Sequence, residues 1–178
     1  MTVIETQRMR LRRLTADDAP FMMGLMNDPA YIEHIGDRGV ETMEKMAAYI
    51  TDVIGASYEA FGYGIYLALA RDDGRPVGMA GLVNRPALED VDIGFAFARD
   101  YWDQGLATEA GLAVIEHAAR DFGLRRLVGV VSPANGASIR VLEKLGFRFE
   151  GMVCLTPEDD PIRLYGRDIA ASASPPER

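Results

Sequence analysis

Cysteine and histidine are almost missing from this chain. Cys154 is the only cysteine, and His34 and His117 are the only histidines, in 178 residues. A single thiol can form no intrachain disulfide and no thiolate cluster for zinc, and Cys154 reads as a small buried apolar residue. Two histidines far apart in sequence argue against a metal site and against a serine–histidine hydrolase. Positive charge is also in deficit: 19 Lys and Arg stand against 27 Asp and Glu, a formal net charge of −8. That balance argues against a nucleic-acid partner held by general phosphate attraction. No apolar run is long enough to span a membrane, and the opening MTVIETQRMR lacks the apolar core of a secretory signal. The expected location is the cytoplasm, with no membrane partner.

What is present describes a globular chain. Apolar residues make up 48% and charged residues 26% of the sequence, enough for a sizeable core. No repeat or linker divides it, so a single domain is expected over residues 1–169. The tail, 170–178, ends in ASASPPER and is expected to be disordered.

Periodicity gives the element order. Met9–Leu14 alternates as an edge strand, and Thr15 with Asp17 and Asp18 opens a helix running to about Asn27, ended by Pro29. Tyr31–Gly39 is irregular. Met43, Met46, Ala47, Ile50, Val53 and Ile54 mark the inner face of a second helix. Gly64–Ala70 and Pro76–Val83 form a hairpin about Asp72-Asp73-Gly74, and Asp90–Ala98 is a third strand, with Asp90 and Asp92 on one face. A helix with Leu112, Ile115, Ala119 and Phe122 inward ends at Gly123. Arg125–Val131 must then run parallel to the Asp90 strand, since a helix intervenes. A short helix from Asn135 to Leu145 and an antiparallel pair, Phe147–Leu155 with Pro161–Asp168, complete the order. The fold class is α/β of the α+β kind: a mixed, mostly antiparallel sheet with helices on both faces, not doubly wound.

Tyr101–Ala110, YWDQGLATEA, organises the rest. A strand, a tight turn at Gly105 and a helix start aim unpaired backbone N–H groups at one point, where the helix dipole favours phosphate. An ordinary βα turn would use the same glycine, so the stretch alone leaves both readings open.

A second block decides between them. YWDQGLATEA together with PANGASIRVLEKLGF resembles the GNAT superfamily of N-acetyltransferases, and within it the Rim-type branch of ribosomal-protein N-terminal acetyltransferases. The resemblance runs from roughly Thr6 to Asp168. The family's pyrophosphate loop, Gln/Arg-x-x-Gly-x-Gly/Ala, falls on Trp102–Ala107, with Trp102 departing from the Gln/Arg. The resemblance implies acetyl-coenzyme A as cosubstrate, its pyrophosphate on the amides of Gln104, Gly105, Leu106, Ala107 and Thr108. It implies two splayed parallel strands, with the thioester carbonyl held by backbone at Phe95, Ala96 and Phe97. Asn135 then contacts the pantetheine and Arg140 a coenzyme phosphate, with Lys144 nearby; helix capping by Asn135 and a solvated charge on either base are the other readings. The tyrosine that many relatives use to reprotonate the thiolate is Leu142 here; the resemblance places Ser138 near the sulfur, so Ser138 or a water it holds is the candidate donor, with a place in the helix cap as its other reading. Asp92 is the candidate acceptor of the amine's proton, ahead of Glu89 and Asp90; acids that only ring the substrate mouth and attract cationic amines are the other reading.

The expected activity is direct acetyl transfer to a primary amine, either a protein N-terminus or a small molecule, without metal. A non-catalytic acyl-coenzyme A sensor is the alternative. A monomer and a homodimer are both compatible with the sequence.

Overall fold

Alternating burial in the first strands shows how the sheet begins. In the computed structural model, which describes residues 1–170, Met9 and Leu11 of β2 (Met9–Arg13) are fully buried while Arg10 points outward. This strand is not an edge. β1 (Thr2–Glu5) covers it, held by a tight reversal in which the Thr6 N–H donates to Met9 O at 2.9 Å. The expected disordered tail falls on residues 171–178, outside those described.

A capping box at Thr15 and Asp18 opens a 3₁₀ turn and then α1 (Ala19–Met26). Pro29 does more than end that helix. It takes the first position of α2 (Pro29–His34), where a missing N–H costs nothing, and Asp28 caps the Ala30 N–H at 2.8 Å. The stretch expected to be irregular is therefore helical as far as His34. The next helix runs from α3 (Met43–Ala48) through a π-helical turn, Tyr49–Ile54, into α4 (Gly55–Phe61). The wider turn changes the inner face: Met46, Ile50, Ile54 and Tyr58 are buried, while Met43 and Val53 are about half exposed at 48% and 54%.

The remaining elements are β3 (Ile65–Ala70), β4 (Pro76–Val83), β5 (Asp92–Phe97), α5 (Leu106–Phe122), β6 (Arg126–Val131), α6 (Gly136–Lys144), β7 (Arg148–Val153) and β8 (Ile162–Asp168). They complete an eight-stranded sheet in the order β1-β2-β3-β4-β5-β6-β8-β7. Every neighbouring pair is antiparallel except β5–β6. Those two meet in register only at Asp92 and Val128, then diverge. Helices cover both faces, as expected. α5 packs through Ala110, Val114 and Ala118, all fully buried, so Leu112 lies off the inner stripe. β7 is an edge with much of its length exposed, and Cys154 just beyond it is exposed too, against the expectation of burial.

The β3–β4 contact is close enough to exclude a side chain. A Cβ on Gly81 would lie 2.1 Å from the Gly64 carbonyl oxygen, a backbone atom that cannot swing aside. Gly81→Ala is expected to destabilise the fold by about 1–3 kcal/mol, read as a lower denaturant midpoint at unchanged slope. An unchanged midpoint would mean that the two strands part easily.

Candidate active site

The divergence of β5 from β6 leaves the backbone of Ile93–Phe97 unpaired on one side, facing a cleft. The chain leaving β5 is tied down by several bonds. Trp102 Nε1 donates to the Phe97 carbonyl at 2.7 Å, and the Arg99 guanidinium lies 5.0 Å from the centre of the Trp102 ring. Arg99 also holds both Asp28 oxygens, at 2.7 and 2.9 Å, which links this loop to the start of α2.

Two left-handed residues, Asp103 (φ 57°) and Gly105 (φ 76°), then turn the chain into α5. Gly105 is the N-cap and supplies no side-chain hydrogen bond. The first N–H groups of a 17-residue helix, those of Leu106, Ala107 and Thr108, are therefore left for a ligand. Glu109, in the first turn, would oppose an anion there. Arg8 answers its charge: its backbone N and Nε donate to the two carboxylate oxygens at 2.8 and 2.6 Å, and its Nη1 donates to the Gln104 carbonyl at 2.8 Å. Burial works against ionisation of Glu109, but hydrogen bonds from Thr6 and Arg8 outweigh it and hold the carboxyl below its usual range.

A cavity of about 730 Å³ opens in front of this helix start. Phe95, Ala96 and Phe97 line one wall, Gly105, Leu106, Ala107 and Thr108 a second, and Asn135, Ser138 and Arg140 a third. Lys144 lies farther along α6 on the same wall. Gln104 is the expected loop residue that does not line it. Its side chain donates back to the Asp100 carbonyl at 2.9 Å and its own carbonyl faces Arg8. Asn135 caps α6, its Oδ1 accepting the Ser138 N–H at 3.2 Å.

A smaller cavity of about 280 Å³ adjoins the first. Tyr31, His34, Phe95, Asn135 and Ser138 line both, so the two meet at that ring of residues. Asp92 lines only the smaller one. It is 1% exposed, and Arg85 Nε donates to its Oδ2 at 2.6 Å. Oδ1 is buried without a hydrogen-bond partner. Burial raises its pKa to about 6, against the Arg85 charge and hydrogen bond and the Val130 amide. His34 Nδ1 is the other buried side-chain atom without a partner among the described residues, and it too belongs to this ring. An orphaned buried polar atom calls for an explanation, and two beside one cavity suggest a ligand.

Two of the expected acids lie apart from this centre. Asp90 precedes β5 and is bonded to Arg126 at 3.1 Å, and neither it nor Glu89 lines either cavity. Leu142 lines the smaller cavity and is packed against Gly129, where a Cβ would lie 2.7 Å from Leu142 Cδ2. Arg8, Tyr31, His34, Arg38 and Arg85 were not singled out by the sequence. Arg8 meets Glu109 from 101 positions away, a pairing with no local signal. Among the described residues no group of His, Cys, Asp and Glu could hold a metal ion, and no helix is long and apolar enough to cross a membrane.

Comparison with known proteins agrees with this geometry. Residues 8–148 match the acetyltransferase (GNAT) domain family. The uncharacterised N-acetyltransferase YnaD of Bacillus subtilis (strain 168) is 27% identical over 148 residues, covering 83% of this chain and 84% of that one. The crystal structure of an acetyltransferase from Agrobacterium tumefaciens str. C58 superposes with a TM-score of 0.77 at 26% identity, covering 94% of both chains. RimL, a ribosomal L7/L12 α-N-protein acetyltransferase solved with coenzyme A, superposes at 0.73 over 97% of this chain and all of its own, and at 17% identity that likeness is one of fold. With most of its length matched and its splayed strands opening onto an uncapped helix, the chain belongs to the GNAT family and is an N-acetyltransferase.

Proposed function

We propose that the protein transfers acetyl directly from acetyl-coenzyme A to a primary amine, a small molecule or a protein N-terminus, that reaches the thioester from the smaller cavity. The observation that carries this reading is Asp92 Oδ1, an unpartnered carboxylate oxygen buried beside the cavity that meets the larger one at Ser138. Acetyl-coenzyme A supplies an activated acyl group and a polyanionic handle. The helix start fits that handle, because backbone N–H groups and a dipole can bind phosphate on a protein of net charge −8.

Each residue then has a task. The amides of Gly105–Thr108 hold the pyrophosphate, with Arg140 beside them. Unpaired N–H groups of Phe95–Phe97 polarise the thioester carbonyl. Asp92 accepts the proton that the amine must lose as it attacks, and Arg85 keeps the carboxylate oriented. Ser138 donates a hydrogen bond to the departing sulfur, the service that Leu142 cannot give. The missing phenol is also the one observation favouring a non-catalytic acyl-coenzyme A sensor, whereas an open buried carboxylate has no use in one.

The test is thiol release from acetyl-coenzyme A across a panel of amines and N-terminal peptides. Turnover with any of them supports transfer; cofactor binding without turnover on a broad panel supports the sensor. Ser138→Ala is expected to lower kcat by roughly tenfold to a hundredfold, the worth of one hydrogen bond to a charged group, while leaving cofactor affinity within about twofold. An unchanged kcat would assign Ser138 to the first turn of α6 and nothing more.

A further inference from the structure

Resting on the transfer reading above, we infer that the acceptor is a free α-amino acid with an apolar side chain, its amine toward Asp92 and its carboxylate toward Arg38. Size comes first. The smaller cavity, at about 280 Å³, lies at the lower end of ligand sites, which span roughly 300–1,000 Å³, and this favours a small acceptor.

Charge is the second constraint. Two arginines, Arg38 and Arg85, line this cavity with one carboxylate, Asp92. Arg85 is committed to Asp92. Arg38 enters no ion pair among the described residues. It is an exposed residue that lines this cavity together with Tyr31, Tyr49 and Arg85. An arginine with no carboxylate of its own, in a lining shared with phenol donors, is a receptor for an acid. A polyamine would bring a second positive charge into the same cavity, and a peptide would bring a neutral amide, which uses none of the arginine's charge.

The lining supplies the third. Met22, Met26, Ile54 and Met79 are all buried and face the same space. Methionines adapt their shape to unbranched or aromatic side chains alike. His34 Nδ1, unpartnered where the cavities meet, gives the amine end a second polar contact.

The experiment compares methionine, leucine and phenylalanine with their α-amides, a serine-initiated tripeptide and spermidine, in wild type and Arg38→Gln. Free amino acids are expected to turn over, with kcat/KM at least tenfold above the matching amides. Arg38→Gln should lower kcat/KM for methionine by roughly tenfold to a hundredfold and bring the acid-to-amide ratio toward one. A preference for spermidine or the tripeptide overturns the inference and leaves acetyl transfer standing. So does an amide used as well as the acid, or a ratio that Arg38→Gln does not move. Calorimetry on the coenzyme A-loaded protein separates the two readings from the other side. Methionine binding that Arg38→Gln abolishes, without any turnover, supports this pocket and refutes transfer. Amino acids that neither bind nor react overturn the inference outright.

Discussion

Gly105→Asp is expected to abolish the rise in melting temperature that acetyl-coenzyme A gives the wild-type protein. At a hundredfold excess over Kd, a ligand of the native state adds about 2.7 kcal/mol, which for a chain of this length is a shift of roughly 5–10 °C. Two effects in the variant act against that gain, and a third, backbone strain, lowers the melting temperature with or without ligand. Gly105 sits at φ 76°, where any side chain is strained, although aspartate tolerates it better than most. The new carboxylate would lie at the N-cap of α5 and take for itself the N–H groups that a phosphate would use. It would also set a negative charge against the incoming pyrophosphate. Space is not the obstacle: a Cβ would meet only Arg8 Nη2, at an ordinary 3.6 Å. The variant should therefore still fold, its unliganded melting temperature somewhat lowered by the strain, so that the shift is read against its own unliganded value. Gly105→Ala separates strain from capping and charge, and should keep part of the shift. A full shift in the aspartate variant would move the coenzyme's phosphates away from this helix.

That loop was legible in the sequence because its geometry is local. A glycine between a strand and an amphipathic run marks a tight turn, though only the second block favours a phosphate loop over an ordinary one, and Asn135 ahead of α6 caps a helix by its own side chain. The element order was legible for the same reason, including the parallel β5–β6 pair that a connecting helix requires. What escaped depends on partners distant in the chain or on a change of helical pitch. Pro29 reads equally well as a stop and as a first residue; only the Asp28 cap and the Arg99 bridge show that it starts α2. The π-helical turn moves Val53 off the inner face, which a fixed period cannot anticipate. The smaller cavity was read least well. Tyr31, His34 and Arg38 come from a stretch with no periodic signal, and they share its lining with Asp92 across a long separation in the chain.

Asp92→Asn should separate the chemistry from the binding more sharply than any other change. The side chain is isosteric, and Arg85, with part of its surface exposed, can hydrate when its partner loses charge. Acetyl-coenzyme A should still raise the melting temperature, because Asp92 lines only the smaller cavity. Turnover should fall by about 10²–10⁴-fold, the range for loss of a positioned base. The pH dependence carries the sign. With its pKa raised from 3.8 to about 6 in the folded protein, the carboxyl is protonated below that value and cannot accept the amine's proton. The wild-type rate should therefore drop as pH falls through about 6, and the asparagine variant should lack that inflection. Stability should move the other way. The folded state holds a proton that the unfolded state has already released between pH 3.8 and about 6, so wild-type stability declines as pH rises across that window. The asparagine variant should show no such decline there, since the group responsible is gone. Those two profiles come from one carboxyl group and must change together. If the stability profile flattens while the inflection in rate remains, Asp92 is buried as described but another group, or water, takes the proton.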